Sequence, residues 1–134
     1  MLAILLAASL GASPAAPAAN ASLDLHQVEQ NLVHYTNLQR QRSGLPALKI
    51  DQRLLASARQ HCSWMARTGS MVHTSAAVAE NIAMGQANSF RAVQDWMNSP
   101  GHRANILNGS YRRIGAAAYT GKGGAVFWCV QFLQ

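Results

Sequence analysis

The run Ala125 to Leu133, A-V-F-W-C-V-Q-F-L, is apolar on both of its alternating faces. A strand solvated on one side alternates apolar with polar residues, so a run of this kind belongs to a strand covered on both sides. Helical patterns elsewhere in the chain can supply the cover, and the expected architecture is three layers of helix, sheet and helix. A second strand, Ile114 to Thr120, precedes it across the turn Gly121-Lys122-Gly123-Gly124.

Leu25, Val28, Leu32 and Tyr35 recur at helical spacing and Leu38 continues the stripe, which predicts an amphipathic helix over residues 23–42 ended by Ser43-Gly44. Leu45-Pro46-Ala47-Leu48 reads as a short extended link. Asp51 then caps a second helix to about Thr68, with Leu54, Leu55, Ala58, Cys62 and Met65 facing inward and Gly69 closing it. Residues 70–88 have no clear period. Ser89 is expected to cap a third helix through Asn98, burying Phe90, Val93, Trp96 and Met97. Pro100 cannot extend that helix but suits the first turn of a new one, with Ser99 as its N-cap. The resulting corner sets a positive helix end close to His102 and turns Ile106 and Leu107 into the core.

Residues 2–12 are almost wholly apolar, and the small, proline-broken stretch after them ends in Ala19-Asn20-Ala21, an A-x-A pattern. Residues 1–21 therefore read as a secretory signal and residues 22–134 as one domain, expected outside the cytoplasm, secreted or periplasmic. The apolar run falls short of the ~20 residues of a bilayer span, so no transmembrane span is expected once it is removed. Two cysteines in an exported chain favour a Cys62–Cys129 disulfide, worth roughly 4 kcal/mol in the chain-entropy model. Two free buried thiols are the alternative. Eleven Lys and Arg, nine of them Arg, stand against five Asp and Glu. That balance favours attraction to anionic envelope polymers, phospholipid surfaces or nucleic acid, or serves solubility alone. Only Arg112-Arg113, with Arg103 near, is clustered, and without a nucleic-acid motif beside it no nucleic-acid partner is expected. A monomer is expected.

Three residues from separate segments carry the chemistry. Glu80 sits in the otherwise apolar run A-E-N-I-A-M-G and needs a partner or an edge. His73 and His102 lie in separate segments, and no local ligand spacing such as H-E-x-x-H links them to it. His26 and His34 read as solvated, and His61 as packing beside Met65 or reaching the same cleft. Ser99 and His102 do not make a serine nucleophile, since no G-x-S-x-G elbow accompanies them. Trp64, Trp96 and Trp128 read as core rather than as a carbohydrate platform.

Taken in order, several stretches resemble the CAP superfamily of cysteine-rich secretory, antigen 5 and pathogenesis-related proteins, in its short bacterial type. They are Asn37-x-x-Arg40 with Gly44-Leu45 and Leu48, Ala58-x-x-His61 with Met65, His73, Ala79-Glu80-Asn81-Ile82-Ala83, Trp96, Ser99-Pro100-Gly101-His102-Arg103-Ala104-Asn105-Ile106-Leu107, Ile114-Gly115, and Trp128 with Gln131-Phe132. The resemblance implies an α+β fold, an α-β-α sandwich with helices on both faces of a small, mainly antiparallel sheet, whose cleft holds two histidines and two glutamates. On matching positions these are His73, His102 and Glu80, while the second glutamate, three residues after Trp96, is replaced by Ser99. The implied function is non-enzymatic binding of a lipid, glycan or protein outside the cytoplasm, with a cleft that takes a divalent metal such as Zn²⁺. A metal-dependent hydrolase using His73, Glu80 and His102, and a purely structural role for the three, are the alternatives.

Overall fold

The doubly apolar run forms β4 (Val126–Leu133), an interior strand of a four-stranded sheet. The computed structural model describes residues 24–134; the secretory signal and the domain boundary read after residue 21 lie outside the described residues. The sheet order is β1 (Lys49–Ile50), β3 (Arg113–Thr120), β4, β2 (Ala79–Met84). β1 runs parallel to β3, and the other two pairings are antiparallel, with Glu80 opposite Gln131 and Gln131 opposite Gly115.

Alternation along β4 assigns its residues to two cores. Trp128, Val130 and Phe132 join Ile114, Ala116 and Ala83 beneath α1 (Gln27–Arg42), α3 (Ser89–Met97) and α4 (Pro100–Ile106). Phe127 and Cys129 join Ala117 and Ile82 beneath α2 (Gln52–Thr68), which contributes Ala58, Cys62, Met65 and Ala66. The expected α-β-α sandwich with a mainly antiparallel sheet is the observed one. Among the described residues no helix is long and apolar enough to cross a membrane.

Several local expectations are corrected. α1 starts at Gln27, and its fully buried stripe is Glu29, Leu32, Thr36 and Arg40, half of it charged. Glu29 is held by Arg59 through two short contacts, 2.6 and 2.7 Å. Arg40 donates to the carbonyls of Pro46, Ile106, Asn108 and Tyr111, so backbone dipoles rather than a carboxylate compensate its charge. α3 is capped by Asn88, whose side chain accepts from Arg91 N–H, and not by Ser89. Phe90, expected inside, is 50% exposed. Ser99 occupies the N-cap position of α4, but its side chain makes no capping hydrogen bond.

The expected Cys62–Cys129 bond is not formed, and both residues are free buried thiols. They share the α2 layer, but their sulfurs face different partners. Cys62 Sγ lies 3.1 Å from Phe127 O, and Cys129 Sγ lies 3.5 Å from Glu80 Oε2. Burial pushes the Cys62 thiol up to about 12 and the Cys129 thiol well above its ordinary value, so both stay protonated donors.

Candidate functional site

β2 is an edge strand, and the site is built around that edge. Glu80 lies in the row with Gln131 and Gly115 on the α2 side of the sheet, while its neighbour Asn81 points to the α4 side. Edge strands leave backbone groups unpaired, and here the α3–α4 corner supplies partners for them. Trp96 Nε1–H donates to Ile82 O at 3.0 Å and Asn105 Nδ2–H to Glu80 O at 3.4 Å. Asn81 Nδ2–H donates to His102 O at 3.0 Å, and Asn81 Oδ1 accepts from Asn105 at 2.9 Å. The Pro100 restart is thereby fastened to the strand that carries Glu80.

Glu80 is 7% exposed, and donors surround both of its oxygens. Oε1 accepts from His73 Nδ1 at 2.9 Å and Thr74 N–H at 2.9 Å. Oε2 accepts from Gln131 Nε2 at 2.9 Å and lies 3.5 Å from Cys129 Sγ. Burial raises the carboxyl pKa, but the hydrogen bonds from Thr74, Gln131 and His73 outweigh it and hold Glu80 below the ordinary glutamate range. An ionised carboxylate only accepts, so the proton of the His73 contact sits on Nδ1 and the neutral ring keeps a lone pair on Nε2. The His73 side chain is 61% exposed, so that lone pair is not shut away in the core.

His102 reaches the same region from α4. Burial lowers its pKa first, and the neighbouring His73 lowers it further, which favours the neutral, lone-pair-bearing imidazole. The structure thus joins His73 to Glu80 directly, while His102 stands on α4, where its backbone carbonyl accepts from Asn81. Among the described residues no three His, Cys, Asp or Glu side chains are arranged together as a metal-ligand group. The free donors are the two imidazoles, while the oxygens of Glu80 are already occupied.

His61 belongs to the site more closely than its packing role implied. Its Nε2 lies 3.9 Å from Glu80 Oε1 and donates to Val72 O at 2.6 Å. Gln131 and the Thr74 backbone amide were not foreseen. Gln131 had a signal: a strongly polar residue in an apolar strand needs a buried partner, and Glu80 is opposite. His26 and His34 are exposed, as expected. A cavity of about 700 Å³ lies elsewhere, between α1, the start of α3 and the adjoining ends of β3 and β4, and holds none of His73, Glu80 or His102.

Fold and site together give an α-β-α sandwich with a buried glutamate at a sheet edge, hydrogen-bonded to His73. Residues 33–132 match the model of the cysteine-rich secretory protein family, CAP, and the chain belongs to that family. It is 35% identical over 122 residues to YkwD, an uncharacterised protein of Bacillus subtilis, covering 78% of this chain and 46% of that one. An extracellular protein of Bacillus anthracis containing an SCP domain is 28% identical with a TM-score of 0.70, over 79% of this chain and 40% of the other. NaASP2, solved with Zn²⁺, shares the fold at 12% identity and a TM-score of 0.66, over 81% of this chain and 80% of that one. The chain thus spans less than half the length of the two Bacillus proteins.

Proposed function

We propose that this CAP domain is an extracytoplasmic, non-enzymatic binding module whose His73 and His102 imidazoles take one divalent metal, with Zn²⁺ the best chemical match. The observation that carries the reading is the Glu80–His73 hydrogen bond. A carboxylate behind a histidine fixes the ring's tautomer and raises the basicity of the other nitrogen, which is how proteins commonly support a metal-binding imidazole. Glu80 therefore acts as an orienting group rather than a ligand, and Asn81 holds the α4 backbone that carries His102. The presence of Zn²⁺ with NaASP2 is consistent with a metal in this fold. When bound, the metal supplies a Lewis-acidic centre for an oxygen-bearing ligand.

Binding is favoured over hydrolysis by the use of the chain's five acids. Glu80 is saturated with donors, Glu29 is locked to Arg59, Asp51 caps α2, Asp95 accepts from Gln86, and Asp24 lies at the α1 approach. The position that would provide a second carboxylate is Ser99. No second carboxylate therefore stands beside Glu80 to act as a general base.

Titration calorimetry with ZnCl₂ tests the proposal. His73→Ala and His102→Ala should each abolish the binding heat, and Glu80→Gln should weaken affinity about 10–100-fold, the range for orienting partners. Unchanged affinity in His102→Ala would sink the shared site, and no heat from the wild type would leave the residues as a structural network. Chelator-sensitive turnover on a peptide, ester and glycan panel would favour the hydrolase.

A further inference from the structure

Trp64, expected in the core with the other two tryptophans, is instead 38% exposed on α2, whereas Trp96 and Trp128 are buried as expected, at 2% exposed each. Its indole stacks on the His61 ring, with centroids 5.7 Å apart and planes 17° from parallel. His61 is itself anchored by its bond to Val72 O, so the indole is held as a flat panel. Gln60, His61, Trp64 and Arg67 recur at the three- and four-residue spacing of one helix face. With Thr74 and Ser75 from the facing segment they line a cavity of about 430 Å³, within the range of roughly 300–1,000 Å³ found for small-molecule sites.

The lining selects a chemistry. An indole face is apolar and electron-rich. A pyranose ring presents complementary C–H bonds on its face and hydroxyls around its rim. The rim of this cavity carries an amide, hydroxyls and a guanidinium, which can pair with those hydroxyls. Arg67 has no carboxylate partner among the described residues, where Glu29, Asp51 and Glu80 are paired with Arg59, Arg113 and His73. A guanidinium of this kind is suited to a ligand carboxylate. The net charge of +6 adds long-range attraction for an anion.

We propose that the groove between α2 and residues 74–76 is a saccharide subsite selective for acidic pyranose sugars, with Trp64 as the stacking platform and Arg67 as the carboxylate-binding group. It adjoins the histidine cleft through His61 and names a ligand class for the binding-module reading, on which it rests, without depending on metal.

The test uses the full chain in EDTA, so metal at His73 and His102 plays no part and a failed Zn²⁺ titration leaves the result standing. The probes are oligogalacturonate, a neutral cello-oligosaccharide of equal length, inorganic polyphosphate and phosphatidylglycerol vesicles. Oligogalacturonate should shift the Trp64 indole N–H resonance and bind more tightly than the other three. Trp64→Ala should weaken it roughly tenfold, the scale of a lost aromatic contact. Arg67→Gln should remove the preference for acidic over neutral sugar, while Arg91→Gln, the same charge lost from α3, should not. The proposal is overturned if no indole signal moves in the wild type, if Trp64→Ala binds unchanged, or if polyphosphate or vesicles bind as tightly as the uronate oligomer.

Discussion

Glu80 is the residue on which the site turns, because His73, Thr74 and Gln131 all spend a donor on it. Replacing it with alanine strands those donors, and a loss of about 3 kcal/mol is expected at neutral pH from urea unfolding. Its pKa is lowered in the folded state, so the stability it contributes is complete above the usual glutamate range, about 4.3. That contribution is lost as pH falls through the lowered folded value. Unfolding midpoints of the wild type should therefore drop more steeply on acidification than those of Glu80→Gln; parallel curves would contradict the assignment. At this scale the pairing of Glu80 with a donor was legible, because a lone acid in an apolar run needs one. His61 was not, since at its position on α2 a packed histidine and a cleft histidine share one helical spacing. The Thr74 amide is a backbone donor with no side-chain signature.

Among the elements, α2 and β2 are each held by contacts that leave little freedom. A Cβ on Gly115 would fall on the Leu54 carbonyl and the Leu55 nitrogen, so the start of α2 lies directly on the sheet. Backbone cannot yield as a side chain can, and Gly115→Ala is expected to cost about 2–4 kcal/mol, read as a lowered unfolding midpoint. A midpoint within experimental error of the wild type would show that α2 has room to move. Asn105 joins α4 to both Asn81 and Glu80 O at the β2 edge. Asn105→Ala should accelerate amide exchange in α4 relative to α2, and equal protection in both helices would argue against the fastening. α2 was readable because Asp51, its apolar face and Gly69 agree. β2 was not, because Asn81 through Ala83 are buried without alternation and its edge is satisfied by side chains from a helix corner far along the chain. The buried face of α1 is hidden in the sequence for a related reason: Glu29 and Arg40 look solvent-facing until Arg59, the nearby Pro46 carbonyl and three distant carbonyls are in place.

The whole molecule follows from β4, whose two apolar faces demand helices above and below, and the layered fold was legible from that single run. The order of the strands was not, because a two-residue parallel partner and an irregular edge strand leave little periodic trace. The sandwich assigns His73 and His102 to opposite layers, and the edge of β2 is where residues from the two layers can meet. Whether these two imidazoles act as one pair is the central claim. Long-range ¹H–¹⁵N correlation of the histidine rings during a Zn²⁺ titration tests it directly. Before metal, neutral His73 should show its proton on Nδ1; on titration the His73 and His102 signals should shift together at one equivalent, with His26 and His34 unmoved. A His73 ring protonated on Nε2 instead, or His73 and His102 signals moving at different metal concentrations, would contradict the account.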